Sequence, residues 1–112
     1  MALLWGSFVD MVNPLIALNQ KLEKTFEFKE NGYVIRIGWD LIEDNYFGVL
    51  YFDNDTDHHI SEKAKSIGEV CERMLLSAKQ QHFSKEVREK LFEVYCKSGE
   101  MEDFYNSLMQ II

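Results

Sequence analysis

TFEFKENGYVIRIGW, residues 25–39, decides the fold, because its hydrophobic period becomes two and stays two across a turn. Asn31-Gly32 at its centre reads as a two-residue hairpin loop, expected as type I′ because both residues tolerate positive φ. A loop of that length fixes the strand register, and the side chains test it. Pairing Glu30 with Tyr33 sets Phe28 opposite Ile35, Phe26 opposite Ile37 and Glu27 opposite Arg36. Apolar pairs then share one face and an opposite-charge pair lies on the other, as cross-strand energetics favour.

On the C-terminal side, DLIEDN connects this hairpin to YFGVLYF, residues 46–52, which reads as a third antiparallel strand, aromatic on both alternations. One of its faces is expected on the helices, with large side chains partly exposed on the other. Ile60, Ala64, Ile67, Cys71, Met74, Leu75 and Ala78 follow helical spacing, with Ser61 as the expected N-cap. A break is expected around Gln80 to Phe83, with a new start at Ser84. Val87, Leu91, Val94 and Tyr95 form the next stripe, stopped by Ser98-Gly99, and Met101, Phe104, Tyr105, Leu108 and Ile112 form the last. On the N-terminal side, Leu4, Phe8, Met11, Leu15, Leu18 and Leu22 mark one helical face, kinked or interrupted at Pro14. The expected fold is α+β: an N-terminal helix, a three-stranded antiparallel meander, then two or three helices packed on one sheet face. At 112 residues, positions 1–112 are read as a single domain.

Several functional classes lose ground on composition. The apolar opening MALLWGSFVDMVNPLIAL lacks a basic n-region and contains Asp10, Asn13 and Pro14, so it reads as a folded segment rather than a signal peptide or anchor. Cys71 and Cys96 have neither CxxC spacing nor a disulfide framework, and are expected as inert buried thiols in a reducing cytoplasm. The net charge of −7 is unevenly placed. Residues 1–39 balance, residues 40–57 carry six acids and no base, residues 58–99 carry a small positive excess, and the last 13 residues carry three acids. Nucleic acid and anionic membrane are repelled by such a chain, whereas a basic protein is attracted and steered.

FDNDTDHHI, residues 52–60, raises a metal site as an alternative. Asp53, Asp55 and Asp57 match positions 1, 3 and 5 of an EF-hand loop, but His58 stands where its glycine belongs and Ala64 where its glutamate belongs. A solvated turn between strand and helix is the expected reading, an acidic binding surface comes second, and a metal site built on the carboxylates and His58 or His59 third. No GxGxxG, Walker loop, GxSxG or HExxH is present, and His82 has no sequence-identifiable partner. Neither a catalytic residue nor a cofactor is expected.

The function expected from these residues is a small acidic, non-catalytic inhibitor of the antitoxin or immunity type. It would block a basic partner, such as a nuclease toxin or another nucleic-acid-binding protein, through Asp40, Glu43, Asp44, Tyr46, Asp53, Asp55 and Asp57. In element order and composition, though through no motif, the chain is similar to small anti-CRISPR inhibitors and bacterial toxin immunity proteins. The alternative is an adaptor or secretion-chaperone-like homodimer that holds an apolar segment on its helices and sheet aromatics. Alanine at Tyr46, Leu50 or Phe52 would separate the two. The two acidic connections are expected at opposite ends of the third strand, so they need not form one patch.

Overall fold

The computed structural model describes residues 25–110. Four strands, β1 (Phe26–Glu30), β2 (Tyr33–Asp40), β3 (Asn45–Phe52) and β4 (Asp55–Ala64), precede three helices, α1 (Ile67–Gln80), α2 (Lys85–Cys96) and α3 (Ser98–Met109). The strands form one antiparallel sheet in chain order. The α+β class is as expected, while the N-terminal helix expected from residues 4–22 lies outside the described residues.

The first hairpin has the expected register, with Phe28 opposite Ile35 and Glu27 opposite Arg36. The Arg36 guanidinium donates to the Glu27 carboxylate at 3.2 Å. Its turn differs in type: Gly32 has φ of +99° but Asn31 does not take positive φ, so the loop is not type I′. Loop length fixes the register here, and that length is unchanged.

The sheet has four strands instead of three, and the difference lies in residues 55–64. Ile60 and Ala64 are four apart, which satisfies a helical stripe, but with Glu62 they also alternate with exposed Ser61 and Lys63. β3 has an unpaired second edge, and β4 supplies its ladder partners, from Tyr46 opposite Ala64 to Tyr51 opposite His59. The first helix therefore starts at Ile67, and its cap is Ser66, whose Oγ accepts from the Glu69 N–H at 3.2 Å, not Ser61.

All three helices lie on one face of the sheet. A Cβ on Gly48 would come within 2.6 Å of Val70 Cγ1, so α1 crosses β3 where that strand carries no side chain. Ile35, Ile37, Leu50 and Ile60 point the same way and are fully buried with Val70, Met74 and Leu91. Tyr105 of α3 closes this core at the β1 side, 5.6 Å from the Phe26 ring and 5.8 Å from Tyr46. α1 ends where His82 takes φ of +58°, and α2 begins at its cap Ser84, as the sequence leads one to expect. Gly99 does not terminate α2 but lies in the first turn of α3, which follows after Lys97 alone.

Candidate functional site

The seven residues expected to contact a partner occupy three different environments. β3 runs between the two acidic connections, so they sit about 25 Å apart, eight residues at about 3.3 Å each. They form two sites rather than one patch.

At the β2–β3 end the carboxylates of Asp40 and Glu43 are engaged within the chain. Asp40 Oδ1 accepts from the N–H groups of Ile42 (2.9 Å) and Glu43 (3.3 Å), which shapes the loop. Glu43 accepts from Lys63 at 2.6 Å, and this bond raises the Lys63 pKa. Asp44 takes φ of +52°, a left-handed conformation that Asp tolerates, and its carbonyl accepts from Lys65 at 3.3 Å. Lys63 thus pairs with Glu43, while Lys65 reaches the Asp44 backbone and not its carboxylate.

The β3–β4 end is built differently. The Asp53 N–H donates to the Gly32 carbonyl at 3.0 Å, which ties this turn to the first hairpin. Phe52 pairs with Asp55 while Tyr51 pairs with His59, so residues 56–58 bulge out of the ladder. The bulge is held by Asp55: Oδ1 accepts from the Asp57 N–H at 3.0 Å, and Oδ2 lies 2.6 Å from His58 Nδ1. An ionised carboxylate only accepts, so Nδ1 carries the proton. The His58 bond, followed by the Asp57 N–H, holds the Asp55 carboxyl below its usual range. Among the described residues, no basic side chain lies within ion-pair distance of Asp53 or Asp57.

Beside these aspartates is an open pocket of about 430 Å³. Gly32, the Phe52 ring, Asn54, Asp55 and His58 line it from the sheet, and Phe83 and Ser84 from the α1–α2 junction. Phe83 lies edge-on to Phe52 at 5.7 Å, and the His58 ring is 6.4 Å from it. Ser84 Oγ accepts from the Val87 N–H and so serves as the cap of α2. Apolar walls and a few polar groups at one mouth make this a binding site in form.

The chain matches no family model, curated protein or solved structure. Its function is therefore argued from the site alone.

Tyr46 is not at either acidic surface. Its side chain is 6% exposed and faces the helices, and burial, then Glu102 and Asp44, raise its pKa. Leu50 is equally unsuited to contact a partner, since it is fully buried. Alanine at either position would damage the core, so the two functional readings are not separated there. The half-buried side chains facing away from the helices are Phe47, Val49 and Tyr51. Of the thiols, Cys71 is buried as expected, but Cys96 is exposed. Among the described residues, no three His, Cys, Asp or Glu side chains are grouped to hold a metal ion, and no helix is long and apolar enough to cross a membrane. The sequence reading missed Gly32, Phe52 and Phe83 as pocket residues, and no local signal joins them.

Proposed function

We propose that this protein is a small non-catalytic inhibitor of the antitoxin or immunity type, and that it blocks a basic partner through the β3–β4 end of its sheet. One observation carries the reading: Asp53 and Asp57, sequence neighbours of the pocket residues Phe52, Asn54 and His58, have no described basic side chain within ion-pair distance beside a pocket with apolar walls, whereas at the other end Glu43 is paired with Lys63 and Asp40 is taken up by loop N–H groups. Unneutralised carboxylates beside desolvatable aromatic surface supply both steering and a contact that excludes water. The test is affinity capture of basic proteins at low and high salt by the native chain, by D53K/D57K and by E43K/D44K. Capture that is salt-sensitive, lost in D53K/D57K and kept in E43K/D44K is expected. Equal capture by all three removes the proposal.

A second reading, the adaptor-like homodimer, is favoured by the sheet face that carries Phe47, Val49 and Tyr51. Light scattering of the native chain and of V49K separates it: a dimer made monomeric by V49K supports it, and a native monomer removes the homodimer.

A further inference from the structure

We infer that the pocket between Phe52 and Phe83 receives an arginine side chain of the partner, with the Asp55 carboxylate as its counter-charge. The inference rests on the binding reading above and deepens it. Three features select the occupant. The first is charge: Asp55 is the carboxylate in the lining, Asp53 and Asp57 are sequence neighbours of lining residues, and His58 is the one group with basic character in the lining. An anionic ligand would meet those carboxylates, and a neutral one would leave them unused.

The second is shape. At about 430 Å³ the pocket is large enough for one long side chain and small for a folded element. Its apolar walls suit the aliphatic stem of a basic residue, as such stems pack along apolar surface while the charged head finds polar groups. Gly32 contributes no Cβ, and one built there would meet nothing within 4 Å, so this side of the mouth is open.

The third is the carboxylate's remaining capacity. Oδ1 of Asp55 holds the Asp57 N–H and Oδ2 holds the His58 ring, with a smaller contribution from the His58 N–H, which leaves part of about four acceptor positions open. A guanidinium presents a planar fork of donors to the others and stacks on an aromatic ring through its faces. An ammonium does neither, so arginine is favoured over lysine.

The probe is a short blocked peptide with one arginine, compared with the same peptide carrying lysine, and the reading is backbone amide shifts of the full chain. Saturable shifts at Phe52, Asn54, His58 and Phe83 with the arginine peptide are expected, with the lysine peptide weaker by several-fold. D55N retains an oxygen for the Asp57 N–H and weakens arginine binding about tenfold, because a charge-assisted bond is lost. E43Q, at the far end of the sheet, leaves it unchanged. Equal shifts with both peptides, shifts spread over both acidic ends, or an undiminished D55N would each overturn the inference. The inhibitor reading fails separately: it falls if capture does not depend on Asp53 and Asp57, whether or not the arginine peptide binds.

Discussion

Gly48 and Gly68 respond to the same methyl in opposite ways. A Cβ on Gly48 would meet Met74 Sδ at 2.5 Å, Val70 Cγ1 at 2.6 Å and Ile37 Cδ1 at 3.0 Å, all on side chains with no exposure. Gly48→Ala is expected to destabilise the fold by about 1–3 kcal/mol, since overpacking a full core displaces side chains from their rotamers. Gly68 lies in α1, where a Cβ meets only Ser98 Oγ at an ordinary 3.7 Å. Gly68→Ala is expected to stabilise by about 0.5–1 kcal/mol through helix propensity. Urea midpoints of the two variants should move in opposite directions; a shared direction would contradict the packing of α1 over β3. The thiols make a second contrast at this scale. Burial, then Glu72, pushes the Cys71 thiol up to about 11, while Cys96 is exposed. At pH 8 a maleimide should modify Cys96 first and reach Cys71 only on unfolding, because the thiolate is the reacting form. Peptide mapping of singly labelled protein checks this.

Among the elements, β4 separates what local sequence determines from what it does not. The first hairpin is legible because its turn and both strands lie within 15 residues and every cross-strand pair is consistent with one register. Ile60 and Ala64, by contrast, obey periods of four and two at once, and only the open edge of β3, a partner absent from the local window, decides between them. The same nonlocality hides the pocket: Gly32, Phe52 and Phe83 come from three segments that the sheet and the α1–α2 junction bring together. The acidic excess of residues 40–57 is plain in the sequence, but the pairing of Glu43 depends on Lys63, which only the β3–β4 ladder delivers to it. The strand assignment has a direct test in the caps. Ser66→Ala should cost about 1 kcal/mol, the usual loss for an N-cap side chain, and Ser61→Ala, exposed in a strand, should stay within about 0.5 kcal/mol. The reverse order in chemical denaturation would restore a helix beginning near Ile60.

At the scale of the whole fold, the buried titratable groups among the described residues share one direction. Burial is the largest cause of a raised pKa at Tyr33, Tyr46, Cys71 and Tyr105, with Cys71 at about 11 and Tyr105 at about 12. Each is neutral when protonated, so the low-polarity core keeps its proton on longer than water does. Above the ordinary thiol value of 9.0 the unfolded chain loses protons that the folded chain retains. The stability contributed by these groups is therefore complete below that pH and falls as pH rises through 9 to 12. Cys71 and Tyr105 are each 1% exposed or less, and moving from 9.0 to about 11 and from 10.0 to about 12 corresponds to about 2–3 kcal/mol apiece, a sizeable share of a small domain's stability. Urea midpoints should hold steady from pH 7 to 8.5 and then drop continuously to pH 11.5. Tyr105→Phe should start lower or equal at neutral pH yet fall less steeply above pH 10, since it removes one of the titrating groups. A native midpoint that stays flat to pH 11.5 would mean that these hydroxyls and the thiol reach water in the folded state, and the helix layer would not then seal the sheet face that it covers.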